Sequence, residues 1–258
     1  MLDLVTNPES IRNYYKKLAP SLVTLLNSDF EIQYVALRCI NLIVQKRPTI
    51  LEKEIRVFFC KFNDPVYVKL EKLDIIIRLA DHKNIESILQ QLKDYATEID
   101  VDFVKKSIQA IGCCAIKLER SVDRCVQTLS ELVALSKDNT RGERTNYHVQ
   151  EVLIAMREIF RKYPNRFELM IKDIFEAVDN LDDPEAKAAF VWILGEYSEK
   201  IEDSVYQLQM LASGFKEEPM KVQLQLLTAA VKVFLKKPEE GEGIITCLLY
   251  TSPSPRDS

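Results

Sequence analysis

Residues 63–81, NDPVYVKLEKLDIIIRLAD, place apolar side chains on two opposite sides of a helix. Wound at about 100° per residue, Val66, Leu70, Leu73, Ile77 and Ala80 form one stripe, and Val68, Ile75 and Leu79 form another across from it. Charges fill the strips between: Glu71, Asp74 and Arg78 on one, Lys69 and Lys72 on the other. Asp64 and Pro65 predict the helix start, an acceptor at the N-cap followed by a proline where its missing N–H costs nothing. A surface helix needs one apolar face. Two faces predict a neighbour on each side, as in the middle of a stack.

Five further segments repeat the pattern: 31–48, 100–119, 146–164, 183–201 and 219–238. Anchored at Val35, Val68, Val104, Val149, Ala186 and Val222, the six recur at intervals of 33, 36, 45, 37 and 36 residues. The long interval contains SKDNTRGERTN (136–146), a polar run with Gly142 that reads as an exposed loop. Removing about nine residues of it restores the period. Between these helices lie amphipathic segments at 49–61, 84–98, 121–135, 166–179 and 202–215, as the spacing of Ile85, Ile88, Leu89 and Leu92 shows.

A two-helix unit of roughly 35–40 residues, repeated at least five times, predicts an all-α fold. The expectation is an α-solenoid, a superhelix of antiparallel helix pairs of the HEAT or armadillo kind. Tetratricopeptide and leucine-rich signatures are missing. Residues 1–245 are read as this solenoid and as a piece of a longer array, because neither end carries a polar capping unit. TCLLYTSPSPRDS (246–258) fits no repeat. It is expected to be disordered and non-native, resembling a translated cloning adapter.

Composition narrows the class. Of 258 residues, 47% are hydrophobic and 29% charged, the balance of a folding chain, and a net charge of −4 gives no global pull on nucleic acid. MLDLVTNPES has no secretory pattern, and no apolar run approaches the roughly 18–20 residues that span a bilayer. A soluble, cytosolic protein is expected. Cys39, Cys60, Cys113, Cys114, Cys125 and Cys247 form no CxxC pair and are read as reduced thiols, four or five of them at apolar helix positions.

No catalytic, cofactor-binding or metal site is expected. GxGxxG, P-loop, GxSxG and HExxH patterns are absent. His82 sits in a turn and His148 near a helix start, both read as exposed structural residues without ligand partners. Asp182–Asp183 and Glu239–Glu240 are read as helix-end charges. Trp192 is read as a core residue, with a partner-facing anchor as the alternative. Three helices end in paired cations near a proline: Lys46–Arg47, Arg161–Lys162 and Lys236–Lys237. Either these complement helix C-termini, or they line a basic edge for an acidic partner or anionic membrane.

Specific blocks go beyond periodicity. KLAPSLVTLL (17–26), QYVALRCINLIVQKRP (33–48), VFFCKFNDPVYVKLEKLDIIIRLAD (57–81), YATEIDVDFVKKSIQAIGCCAIKLE (95–119), VQEVLIAMREIFRKYPNRFE (149–168), DPEAKAAFVWILGEYSEKI (183–201) and VQLQLLTAAVKVFLKKP (222–238) resemble, in collinear order, the trunk of beta-adaptin. That family is the beta large subunit of heterotetrameric clathrin adaptor complexes. The resemblance implies a non-enzymatic, cofactor-free scaffold in vesicle-mediated protein transport. It implies protein partners, the medium subunit and the other large subunit, held in a membrane-docking core. It implies clathrin contact only indirectly, through a hinge and appendage absent from this sequence. The implied location is cytoplasmic, peripheral on coated vesicles, plasma-membrane coated pits or trans-Golgi membrane. The 136–146 run departs from the family pattern, and no short motif assigns partner-binding residues. The alternative is another solenoid scaffold, such as a nuclear transport receptor or phosphatase scaffold.

Overall fold

The two-faced segments all fold as helices. The computed structural model describes residues 20–138, 142–167, 169–178, 181–201 and 203–251. After helical residues 20–25 come α1 (Phe30–Lys46), α2 (Val66–Leu79), α3 (Ile85–Tyr95), α4 (Val101–Lys117), α5 (Val122–Asp138), α6 (Gly142–Lys162), α7 (Leu169–Ala177), α8 (Pro184–Glu196), α9 (Ser204–Ser213), α10 (Met220–Lys236) and α11 (Pro238–Thr251). No strand occurs among the described residues.

The chain divides into two units, Met1–Leu129 and Ser130–Ser258. In the first, α1 packs on α2 and α2 on α4, while the 3-10 segment Glu52–Phe58 packs on α2 and α3 packs on α4. In the second, α6 packs on α8 and α8 on α10, and α9 packs on α11 as well as on its flanking helices α8 and α10. Alternate helices thus stack in one layer in each unit, and in the second unit the intervening α9 and α11 stack in another. This is an α-solenoid of helix pairs.

In α2 the stripe of Val68, Ile75 and Leu79 is buried, whereas on the other stripe Leu73 and Ala80 are buried, Leu70 and Ile77 half-buried and Val66 exposed. In α2, Val68, Leu73, Ile75, Ile76, Leu79 and the following Ala80 are buried. Each large aliphatic among them contributes about 1.5–3 kcal/mol through removal from water. Small residues set the closest approach. A Cβ built on Gly195 of α8 would lie 2.8 Å from both Cα and Cβ of Ala229 in α10. Gly241 of α11 is equally constrained: its Cβ would meet Cα of Phe234 at 2.6 Å.

Several sequence expectations need correction. The helix predicted over 49–61 is two 3-10 stretches, Pro48–Ile50 and Glu52–Phe58, with Glu54 off helical geometry at φ −102° and ψ 21°. Pro48 at the start of this segment favours such short turns. Asp64 does not cap α2, which starts at Val66 with Pro65 as its N-cap. The loop predicted over 136–146 is shorter, because α5 reaches Asp138 and α6 begins at Gly142; residues 139–141 lie outside the described ones. The predicted disorder from residue 246 does not hold through Thr251, where α11 ends and where Leu248 is buried. Residues 252–258 lie outside the described ones.

The cysteines are less buried than expected. Only Cys114 and Cys125 are buried; Cys60 and Cys247 are half-buried, and Cys39 and Cys113 are exposed. None is in a disulfide. Burial pushes the thiols of Cys60, Cys114 and Cys125 up to about 12, which withholds the reactive thiolate at neutral pH. Maleimide labelling of the native chain is therefore expected to modify Cys39 first and Cys113 more slowly, since burial raises the Cys113 thiol too. Cys60, Cys114 and Cys125 are expected to react only in urea. Peptide mapping checks this, and native labelling of Cys114 as fast as Cys39 would contradict the packing of α4.

Candidate protein-interaction surface

Lys69 and Lys72, on one charged strip between the apolar stripes of α2, are buried. Lys72 is 1% exposed at its side chain, and its Nζ donates to Asp64 Oδ2 at 2.6 Å. The same oxygen accepts the Lys61 N–H at 2.8 Å. Asp64 therefore ties the turn before α2 to the helix two turns in. One turn earlier, Lys69 Nζ donates to Glu98 Oε2 at 2.6 Å and lies 4.9 Å from the centre of the Phe103 ring. Next to it the Cys60 N–H donates to Tyr95 Oη at 2.8 Å, and the Tyr95 hydroxyl donates to Gln91 Oε1 at 3.2 Å. Burial raises the Tyr95 hydroxyl well above its ordinary value. The cluster joins the turn at Cys60–Asp64, α2, α3 and α4 within one unit. Fully paired groups of this kind stabilise one arrangement and penalise others.

Ion pairs also link successive repeats at about the repeat spacing. Arg38 pairs with Glu71 at 2.9 Å, Lys106 with Asp74 at 3.1 Å, Arg157 with Glu185 at 2.8 Å, and Lys187 with Glu218 at 2.8 Å. Lys232 pairs with Glu196 at 2.7 Å, and this hydrogen bond holds the Glu196 carboxyl below its usual range. Partly exposed pairs of this type add little stability individually.

The basic helix ends act on neighbouring helices. Lys117, closing α4, donates to the carbonyls of Ile77 at 3.2 Å, Arg78 at 2.6 Å and Ala80 at 2.9 Å, the unsatisfied C-terminus of α2. Lys236, near the end of α10, does the same to the Glu196 carbonyl of α8. Arg161 pairs with Glu158 at 3.5 Å and Lys237 with Glu240 at 3.7 Å. The contacts of Lys117 and Lys236 are those of cations at helix C-termini, while Arg161 and Lys237 pair with glutamates three residues away. No sequence motif announces them; the signal is a lysine as the last residue of α4 and of α10.

Other expected residues sort as follows. Asp183 caps α8, accepting the Ala186 N–H at 3.3 Å, while Asp182 is exposed. His82 is exposed, but His148 is half-buried against Tyr147, with ring centres 4.4 Å apart. Trp192 is half-buried rather than a full core residue, and Lys232 Nζ lies 5.2 Å from the centre of its ring. Among the described residues, no group of three His, Cys, Asp or Glu could hold a metal ion, and no helix is long and apolar enough to cross a membrane.

Two helices carry exposed apolar faces. On α10, Met220, Leu224, Leu227, Val231, Phe234 and Leu235 are exposed along one face, opposite the buried Val222, Leu226, Ala229 and Val233. On α1, Ile32, Val35, Cys39 and Leu42 form a similar exposed line. Inside the stack the equivalent positions are covered. One repeat before α10, Ala188, Val191, Gly195 and Ser198 are all buried, and one repeat after α1, Val68, Lys72 and Ile75 are too.

Fold and surface define a helical-repeat protein whose ordered groups serve packing and whose open faces suit protein contacts. The chain belongs to the adaptin N-terminal region family, whose model matches residues 2–255. It is 54% identical over 243 residues to the AP-1 complex subunit beta-1 of Mus musculus, covering 94% of this chain and 25% of that protein. It is 49% identical over 257 residues to the AP-1 complex subunit beta of Dictyostelium discoideum, covering 100% of this chain and 26% of that one. With the AP-2 complex subunit beta of Schizosaccharomyces pombe the identity is 44% over 240 residues, with 93% and 34% covered. The chain thus spans between a quarter and about a third of the length of these relatives. In structure it resembles a chain of a homology model of the full-length AP-3 complex in an intermediate open conformation. The TM-score is 0.66 at 16% identity, covering 92% of this chain and 43% of that one, a likeness of fold.

Proposed function

We propose that this chain serves as part of the beta large subunit of a clathrin adaptor complex. In this reading it is a non-enzymatic scaffold in vesicle-mediated intracellular protein transport. The observation that carries the reading is the family match across residues 2–255, on a chain whose repeats are those of a solenoid. Scaffolding suits such a fold, since each repeat is held by its neighbours and the surface is left for other chains. The partners follow from the family: the medium subunit and the other large subunit, gathered in a core that docks on membrane. Clathrin is engaged through other parts of the subunit. The location is the cytoplasmic face of coated vesicles, plasma-membrane coated pits or trans-Golgi membrane.

The test is recovery from cytosol. The tagged chain, immobilised and washed, is expected to retain a medium adaptor subunit in stoichiometric amount, identified by mass spectrometry. Retention of a phosphatase catalytic subunit or a nuclear transport cargo in its place would overturn the reading.

A further inference from the structure

The stacked helices α1, α2 and α4 each begin beside a turn with an apolar side chain held out in water. Phe30 is 42% exposed, Phe62 88% and Ile99 75%. The three turns are neighbours. A cavity of about 320 Å³ is lined by Leu26, Phe30 and Gln33 on one side and by Phe62 and Asn63 on the other. The second turn is tied to the third, since the Cys60 N–H donates to Tyr95 Oη and Lys69, one turn into α2, donates to Glu98. Phe62 therefore has a turn of the same unit on either side, and its exposure is set within Met1–Leu129. Single exposed apolar residues are ordinary, but a row of them beside a cavity marks a binding surface.

We propose that this edge binds an extended, basic peptide segment of another protein, anchored by one aromatic or branched aliphatic side chain between Phe30 and Phe62. Charge decides the class of partner. Asp29, Glu31, Asp94 and Asp102 are exposed in or beside the turns, against Lys61 and, at the end of the preceding 3-10 segment, Arg56. Ile99 stands between Glu98, paired with Lys69, and Asp100, which caps α4. This balance repels an anionic lipid surface and attracts lysine and arginine. Spacing decides the shape. Packed helices stand about 8–10 Å apart, so an extended chain at about 3.3 Å per residue crosses from Phe62 to Ile99 in about three residues. The apolar anchor and the basic residues are thus about three positions apart. A cavity that takes one large side chain, with charges at its rim, is the make-up of an interface hot spot.

The site lies within one unit, so the chain by itself serves for the test. A phage-displayed library of random peptides of about a dozen residues is panned on the immobilised chain. It is expected to enrich peptides with a net positive charge, carrying an aromatic or branched aliphatic residue about three positions from a lysine or arginine. The enriched peptide, followed by fluorescence anisotropy, is expected to bind at least about tenfold more weakly to Phe62→Ser and to Ile99→Ser. Its binding is expected to weaken with added salt and in Asp94→Asn/Asp102→Asn. Met220→Ser, in the other unit, is expected to leave binding unchanged. The replaced side chains are exposed, so circular dichroism and the urea midpoint are expected to stay those of the wild type. Enrichment of acidic peptides, no enrichment at all, or binding indifferent to Phe62→Ser overturns the proposal. So does sedimentation with phosphatidylserine vesicles that Phe62→Ser abolishes, which would make lipid the occupant. A dimer that Phe62→Ser dissociates would make it a second copy, and overturns the proposal equally.

Discussion

Asp64→Ala is expected to destabilise the Met1–Leu129 unit by about 3–5 kcal/mol, the cost of leaving a buried charge without its partner. The 2.6 Å bond from Lys72 Nζ is the reason, with the two side chains 1% and 4% exposed. Water cannot replace the lost carboxylate at such a site. The variant also deprives the Lys61 N–H of its acceptor. The double variant Asp64→Ala/Lys72→Met is expected to recover much of the loss, because replacing both partners of a buried pair by apolar groups is often close to neutral. Urea unfolding by circular dichroism, with hydrogen exchange of the α2 amides, measures both. Equal stability of Asp64→Ala and the wild type would mean that Lys72 reaches solvent and that α2 has one polar flank after all.

Enlarging Gly195 is expected to push α8 and α10 apart. Alanine at this position gains about 1 kcal/mol of helix propensity over glycine. Against that, the new Cβ meets the Cα of Ala229, a backbone atom that cannot turn aside, at 2.8 Å. Overpacking of this kind costs about 1–3 kcal/mol, so Gly195→Ala is expected to be net destabilising and Gly195→Val more so. Trp192 lies three residues away on the same helix and is the chain's one tryptophan. Its fluorescence during urea unfolding therefore reports this contact. Combining Gly195→Ala with Ala229→Gly is expected to restore part of the loss, with a coupling that a double-mutant cycle measures. A higher urea midpoint for Gly195→Ala would show that the two helices are not in close contact there.

The repeat was legible because its cause is local and periodic. A helix pressed from two sides needs apolar residues at both sets of positions, and that pattern is written in Val68, Ile75, Leu73 and their counterparts. The same arithmetic found the order of helices and the close of α8's N-terminus by Asp183. It failed where a residue's role depends on what stands opposite. Lys69 and Lys72 read only as a charged strip between two apolar ones, although lysine is rarely buried unless paired. Asp64 and Glu98, from a turn and from the end of another helix, make their burial tolerable, and no spacing along α2 reveals those partners. Trp192 read as core for its apolar neighbours, yet it is half-buried, with a lysine from α10 near its ring.

The surface divides in the same way. The apolar residues on α10 match, in sequence, the stripe of α2 that holds Leu73 and Ile77, where Leu73 is buried and Ile77 half-buried. Chain periodicity specifies that a face is apolar, through side-chain chemistry repeated every turn. Whether that face is covered is decided by a second helix arriving from elsewhere in the chain or from another molecule. Sequence alone therefore determined the helices, their two faces, their period and their family. Only the tertiary structure decided which charges lie buried in pairs, which lysines close their neighbours' helices, and which stripes remain open, because each of these is a property of two surfaces meeting.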